Sequence, residues 1–236
     1  MCELFGFSCS REGCVAESLY RFAEHSDRNP HGWGLAYYTG SGAILEKQAL
    51  EARKSPEYYE AVKKARGNII ISHIRHASCG EVTEVNCHPF RQTFLGKEWV
   101  FAHNGQVDGV ARHPRSDGRT DSESVFNLLL DNILEHRSRD NGVTYGSIIA
   151  GISSLFNDYE FGRQIGLNFI MSDGDVLYAY NHHAEKPMYY AKTATKGDHS
   201  LLVSTQELDG NDWEVLPKDR LLLVKQGDIY ALSDTI

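Results

Sequence analysis

The spacing of hydrophobic positions changes along the chain, and each change marks an element. Leu4, Phe5, Gly6 and Phe7 form an apolar stretch with β character, able to anchor the N-terminal end in a sheet. From Val15 to about His25, Ala16, Leu19, Tyr20, Phe22 and Ala23 recur at helical intervals and predict an amphipathic helix packed on a sheet. Asp27 to Gly32 ends it. The loop Asn29-Pro30-His31-Gly32-Trp33-Gly34 leads into a strand over Leu35–Tyr38, and a glycine-containing turn at 39–42 predicts a hairpin with Ala43–Lys47. Ser55, Pro56 and Glu57 serve as N-cap, first-turn proline and first-turn acid of a helix to about Arg66, with Ala61, Val62 and Ala65 inward and Gly67 as its stop.

Asn68 to Ile74 is a β-branched run that ends in a polar cluster, Ser72 to Ser78, where a buried strand would deliver functional side chains. A loop from Cys79 to Arg91 precedes a strand over Trp99–His103, which runs into Asn104-Gly105. Thr120-Asp121-Ser122-Glu123 has capping-box spacing and opens a helix carrying Val125, Phe126, Leu128, Leu129, Ile133 and Leu134. A second helix over about Tyr145–Phe156 is expected beside it. Beyond it the pattern is mostly β: Gly166–Ser172, an Asp173-Gly174 turn, Val176–Tyr180, Met188–Tyr190, Leu201–Thr205, Leu221–Val224 and Ile229–Leu232. Strands, then helices, then strands again, with few βαβ alternations, imply a layered α+β domain over residues 1–236 rather than a doubly wound parallel sheet.

Composition narrows the function. With 41% apolar and 24% charged residues among 236, the chain reads as ordinary globular protein, and no run of about 18 apolar residues suggests a membrane span. A net charge of −8 without a dense Lys/Arg stripe argues against nucleic acid as partner and favours a small molecule. Five cysteines, at 2, 9, 14, 79 and 87, lack the spacing of a disulfide scaffold. With no basic n-region and apolar h-region at the start, a cytoplasmic location is expected.

Cys2 changes the picture most. If Met1 is removed, one residue holds both a thiol and a free α-amine, whose unperturbed pKa of about 7.7–8.0 suits it to accept a proton. By itself such a cysteine is more often a small buried hydrophobe. Other groups supply a constellation. Arg75 can grip a carboxylate with its fork, flanked by His76 and Ala77 as further substrate contacts. Asp121 either complements a helix dipole or receives an ammonium. Asn104-Gly105 is either a hairpin turn or an oxyanion hole of one side-chain amide and one backbone N–H. A substrate with carboxylate, ammonium and side-chain amide is glutamine.

With these residues the chain resembles the class II glutamine amidotransferases of the N-terminal-nucleophile hydrolase superfamily, most of all their stand-alone YafJ-type branch. The match is carried by Met1 to Gly6, Asp27 to Gly34, His73-Ile74-Arg75, Asn86 to Phe90, Ala102 to Gln106, Thr120 to Glu123 and Asn168 to Gly174. The resemblance implies a four-layer αββα sandwich of two antiparallel sheets between helix layers, and no cofactor. It implies that Cys2 forms a γ-glutamyl thioester and releases ammonia, with Arg75 and Asp121 holding glutamine and Asn104 and Gly105 the oxyanion. Trp33, Gly34, His88 and Asn168 fall at motif positions expected to support the pocket. The chain is short for an added synthetase domain, so the expected acceptor is water or the substrate of an ammonia-accepting protein partner; an oligomer is compatible with the composition.

Three rivals stand beside this reading. The same pocket would take any γ-glutamyl amide or peptide with another leaving amine. A non-catalytic relative would bind a glutamine-like ligand or a partner. His73, His76, Cys79, Cys87 and His88 could be read as zinc ligands, although they lack paired ligand spacing. His31, His182 and His183 read as loop or surface histidines without a role.

Overall fold

Alternation along β1 (Glu3–Gly13) sorts the core into layers. Phe5, Phe7 and Cys9 face one way and pack with Leu19 and Phe22 of α1 (Ala16–Glu24) and with Tyr58 and Val62 of α2 (Pro56–Lys64). Leu4 faces the other way, into a second cluster with residues of both sheets. In this computed structural model, which describes residues 1–137, 142–158, 166–195, 198–208 and 210–236, that alternation runs through every central strand.

The remaining elements are β2 (Trp33–Thr39), β3 (Gly42–Gln48), β4 (Gly67–Ile74), β5 (Phe90–Phe94), β6 (Lys97–Asn104), α3 (Asp121–His136), α4 (Tyr145–Asp158), β7 (Asn168–Ser172), β8 (Leu177–Asn181), β9 (Met188–Thr195), β10 (Asp198–Ser204), β11 (Glu214–Leu216), β12 (Arg220–Lys225) and β13 (Asp228–Leu232). They form two antiparallel sheets, ordered β11-β9-β10-β1-β4-β2-β3 and β13-β12-β8-β7-β6-β5. The sheets share an interlayer of Leu4, Ile69, Ile71, Val100, Ala102, Ile170, Ala179 and Val203. The outer face of the six-stranded sheet, with Phe101, Phe169 and Tyr180, is covered by α3 and α4 through Phe126, Leu129, Ile133, Ile148 and Ile152. The result is the expected αββα sandwich. Each fully buried aliphatic or aromatic side chain contributes about 1.5–3 kcal/mol, so the two helix interfaces and the interlayer are what hold the sheets face to face.

Several boundaries differ from the sequence expectation. β1 continues to Gly13, β2 already begins at Trp33, and β9 runs on to Thr195. The segment expected as loop up to Arg91 contains the start of β5, and β11 was not expected. Ser55 caps α2 as expected, accepting from the Tyr58 N–H at 3.2 Å. The capping box is only half formed. Thr120 accepts from the Glu123 N–H at 3.3 Å, but the Glu123 carboxylate turns away from Thr120 and accepts the N–H groups of Asp117 and Gly118 at 3.0 and 2.7 Å. It therefore fixes the approach to α3 rather than its cap.

Candidate active site

Strand parity brings the candidate residues together. Cys2 precedes Leu4 by two, Arg75 follows Ile71 by four, Asn104 follows Ala102 by two and Asn168 precedes Ile170 by two, so all four fall on the interlayer side. The registers Glu3↔Ile74 and Asn104↔Asn168 put them at one end of the sandwich. There the His76 N–H donates to the Cys2 Sγ at 3.2 Å, and the thiol lies 3.4 Å from the His76 carbonyl. The Asn104 amide donates to the Cys2 carbonyl. Its own carbonyl oxygen is buried without a partner, a polar group left free at the expected reaction centre.

Electrostatics set the state of the Cys2 thiol. Burial pushes the Cys2 thiol up to about 11, against opposing contributions from the His76 N–H, the chain-terminal ammonium and Arg75. The thiol is therefore protonated at neutral pH and would need a base to act as a nucleophile. Met1 precedes it here and is 47% exposed.

Arg75 is almost fully buried, and its guanidinium donates to the carbonyls of Glu81 and Cys79, both at 3.0 Å. Its backbone continues the sheet, donating to the Gly32 carbonyl at 2.8 Å and accepting the His31 N–H at 3.1 Å. Asp121, the first residue of α3, accepts the Val107 N–H at 2.8 Å and borders a cavity of about 430 Å³ shared with Cys79, Gln106 and Arg119. Cys2 is not among the residues lining that cavity.

Two glycines are demanded by close approach. A Cβ at Gly34 would fall on the His88 carbonyl oxygen, so the loop carrying His88 crosses β2 only because residue 34 is glycine. Gly105 has φ +142°, and a Cβ there would fall on the Gly166 carbonyl oxygen.

His88 lies in a buried stack, its ring centroid 4.2 Å from that of His73 and 6.4 Å from that of His103. The three rings hold the backbone that carries Asn104. His88 Nδ1 accepts the His103 N–H at 3.1 Å, and His73 Nε2 donates to the His103 carbonyl at 3.1 Å. His103 itself donates from Nε2 to the Gly166 carbonyl at 2.9 Å and accepts at Nδ1 from Ser122 at 2.8 Å. Desolvation lowers all three below the ordinary histidine range, His73 to about 3. Asn168 donates to the Lys186 carbonyl at 2.8 Å and accepts the His182 N–H at 2.9 Å, which fixes the turn after β8.

Not every expected residue joins the cluster. The Trp33 side chain faces the helix layer and packs edge-on against Tyr58 at 5.2 Å, away from Cys2. His76 contributes its backbone to Cys2, while its ring contacts the Arg28 carbonyl at 3.2 Å. The Ala77 N–H is taken by His31 Nδ1 at 3.0 Å. His31 thus supports the 75–77 turn, and its reading as a roleless loop histidine is corrected. His182 is likewise tied down, its Nδ1 2.5 Å from Asp219 and its carbonyl accepting the Leu167 N–H at 2.7 Å. His183 packs its ring against Gly166. The zinc rival loses its geometry: among the described residues no three His, Cys, Asp or Glu side chains converge as a metal-binding group. His73 Nε2 and His88 Nδ1 are spent on the His103 backbone, and Cys87 points to the carbonyls of Gln48 and Thr83. Glu3, Lys186, Thr205 and Gln206 were not singled out in the sequence, yet they form a buried polar group next to Cys2.

Comparison with known proteins agrees with this layout. Residues 1–194 match the family of class II glutamine amidotransferases. An uncharacterized protein of Methanocaldococcus jannaschii is 28% identical over 98% of this chain and 71% of its own length. YafJ of Escherichia coli, named as a glutamine amidotransferase, is 29% identical over 91% of this chain and 93% of its own. In fold, the chain superposes with a TM-score of 0.69 on a predicted glutamine amidotransferase from Pseudomonas aeruginosa, at 24% identity over 98% of this chain and all of the other. It also superposes with a TM-score of 0.69 on glutamine phosphoribosylpyrophosphate amidotransferase from B. subtilis, at 15% identity over all of this chain and 49% of that one. Among the described residues, no helix is long and apolar enough to cross a membrane. With the family matched over residues 1–194 and the sandwich in place, the chain belongs to the class II glutamine amidotransferases, on their YafJ-type branch.

Proposed function

We propose that the chain is an amidohydrolase whose substrate is the γ-amide of glutamine, working through Cys2 after removal of Met1. The observation that carries this reading is the half-buried, protonated Cys2 thiol held 3.2 Å from the His76 N–H, with Asn104 bonded to the same residue. A thiol pushed up to about 11 reacts only with a base at hand, and the freed α-amine on the same residue is that base. The amine takes the thiol proton as Sγ attacks the amide carbon. Asn104 and the Gly105 N–H stabilise the resulting oxyanion, and the amine returns the proton to the departing nitrogen, which leaves as ammonia. Water, deprotonated by the same amine, then opens the γ-glutamyl thioester and yields glutamate. Arg75 holds the substrate carboxylate and Asp121 its ammonium. Water is the acceptor of the γ-glutamyl group, the ammonia is released unless another protein's substrate takes it, and the setting of the reaction is cytoplasmic.

The test is intact mass before and after incubation with 6-diazo-5-oxo-norleucine. Trimmed protein gains one adduct, mapped to Cys2, and loses glutaminase activity, whereas Cys2→Ala gains none and is inactive. Glutamate release by Cys2→Ala at the wild-type rate would overturn the mechanism. A γ-glutamyl peptide turned over faster than glutamine would move the substrate to another leaving amine without moving the nucleophile.

A further inference from the structure

We propose that the ion pair between buried Glu3 and half-buried Lys186 is a positioning device for Cys2, which clamps the segment carrying the nucleophile while keeping its surroundings electrically balanced. The proposal deepens the reading of Cys2 as nucleophile and rests on it.

A residue at a chain end frays unless its backbone is tied down. On one flank β1 pairs with β4 from Glu3 onward. On the other flank the ladder with β10 begins only at Phe5↔Ser204, two residues later. Side chains fill that gap. The Leu4 N–H donates to Thr205 Oγ1 at 2.9 Å, and the Thr205 N–H donates to the Leu4 carbonyl at 3.1 Å. Thr205 can accept in that direction because its own O–H is spent on Glu3 Oε2, at 2.6 Å. The other carboxylate oxygen accepts from Lys186 Nζ at 3.1 Å and from Gln206 Nε2 at 3.3 Å.

Lys186 is itself anchored, since its carbonyl accepts the Asn168 amide at 2.8 Å. Asn168 is the register partner of Asn104, and Asn104 donates to the Cys2 carbonyl. The contacts therefore close a ring: Cys2, Glu3, Lys186, Asn168, Asn104 and back to Cys2. Oxyanion donor and nucleophile are braced against each other through one ion pair.

Charge gives this ring a signature that packing lacks. Glu3 is 4% exposed, and a carboxylate so buried is stable only when paired. Facing it are Lys186 from the turn between β8 and β9, and Thr205 and Gln206 after β10. Facing Cys2 are Arg75 and His76 at the end of β4, together with the charged chain start. Glu3 raises the Cys2 thiol, so removing its charge, or removing the Lys186 cation that offsets it, changes the charge the thiol feels.

The experiment is the pH dependence of Cys2 alkylation by iodoacetamide, followed by peptide mass mapping on chain whose Met1 has been removed. Glu3→Gln leaves the Lys186 cation and shifts the apparent pKa of labelling down by about one unit, and Lys186→Met leaves the carboxylate and shifts it up by about as much. The double variant returns towards wild type. Lys186→Arg keeps the charge and keeps the profile, so Lys186→Met against Lys186→Arg decides the matter if Glu3→Gln does not fold. Shifts in the same direction, or unshifted profiles in variants that merely melt at lower temperature, overturn the proposal. Failure of the underlying reading looks different. Wild-type protein would then resist 6-diazo-5-oxo-norleucine at every pH, whatever the iodoacetamide profiles do.

Discussion

The three-histidine stack makes the fold acid-sensitive, and the size of the effect follows from its hydrogen bonds. Protonating His88 at Nδ1 would destroy the bond it accepts from the His103 N–H. Protonating His73 at Nδ1 would place a new N–H where no partner exists. His103 is more tolerant, because Ser122 could reverse its hydroxyl and donate to Asp121, 3.3 Å away. His73 and His88 thus stay neutral when folded and take up protons only on unfolding. Their folded pKa values lie below the unfolded value, so the stability they support is present above about pH 6.5 and is lost as pH falls. Between pH 7.5 and 5.5 each such ring removes about 1.4 kcal/mol, or about 3 kcal/mol for the two. His73 goes on losing stability towards its folded value of about 3. Urea denaturation at a series of pH values measures the slope, and the difference between wild type and His88→Gln isolates one ring. A loss in wild type equal to that in His88→Gln, or an NMR titration showing the His73 or His88 ring at an ordinary pKa, would refute the reasoning.

Two further substitutions probe the frame around Asn104. Gly105→Ala puts a methyl group on the Gly166 carbonyl oxygen at a φ of +142°, and should cost about 1–3 kcal/mol along with 6-diazo-5-oxo-norleucine labelling; wild-type stability in a urea melt would contradict it. Ser122→Ala removes the donor to His103 Nδ1 and the neighbour of Asp121, with an expected loss of about 1–3 kcal/mol and a raised KM for glutamine. An unchanged melt and an unchanged KM would separate Ser122 from both residues.

The layers were legible wherever alternation or helical spacing met full burial. Leu4 and Phe5 point to opposite layers, as do Ala102 and Phe101, and the sequence of α3 announces both its buried face and its Thr120 cap. Edge elements were harder to read. β5 is apolar only at Phe90 and Phe94, because an edge strand with one partner leaves Arg91, Gln92 and Thr93 in contact with water. β11 is three residues long on the edge of the other sheet, too short for any period to appear. Glu123 misled for another reason: its spacing from Thr120 fits a capping box, but two N–H groups just upstream competed for the same carboxylate.

For the candidate site, residue type pointed to the groups proposed to react and hid what positions them. Cys2, Arg75 and Asn104 stand out because few side chains can attack a carbonyl, fork a carboxylate or donate from an amide. Glu3 has no such mark. Its partner Lys186 lies 183 positions away, and the gap that the β1–β10 register leaves is filled by Thr205, whose hydroxyl Glu3 holds. The histidines show the converse. His73 and His88 suggested metal because imidazole binds metal, yet each ring nitrogen that makes a bond makes it to the backbone of His103. The Nδ1 lone pair of His88 is taken in that way, and the unused Nδ1 lone pair of His73 meets no second and third ligand among the described residues. What each ring does offer is a neutral, rigid brace for the strand end that carries Asn104. Asn104 is held from below by two histidines and from the side by the ring through Lys186, so Asn104 and Cys2 keep their spacing through the fold, as the proposed function requires of them.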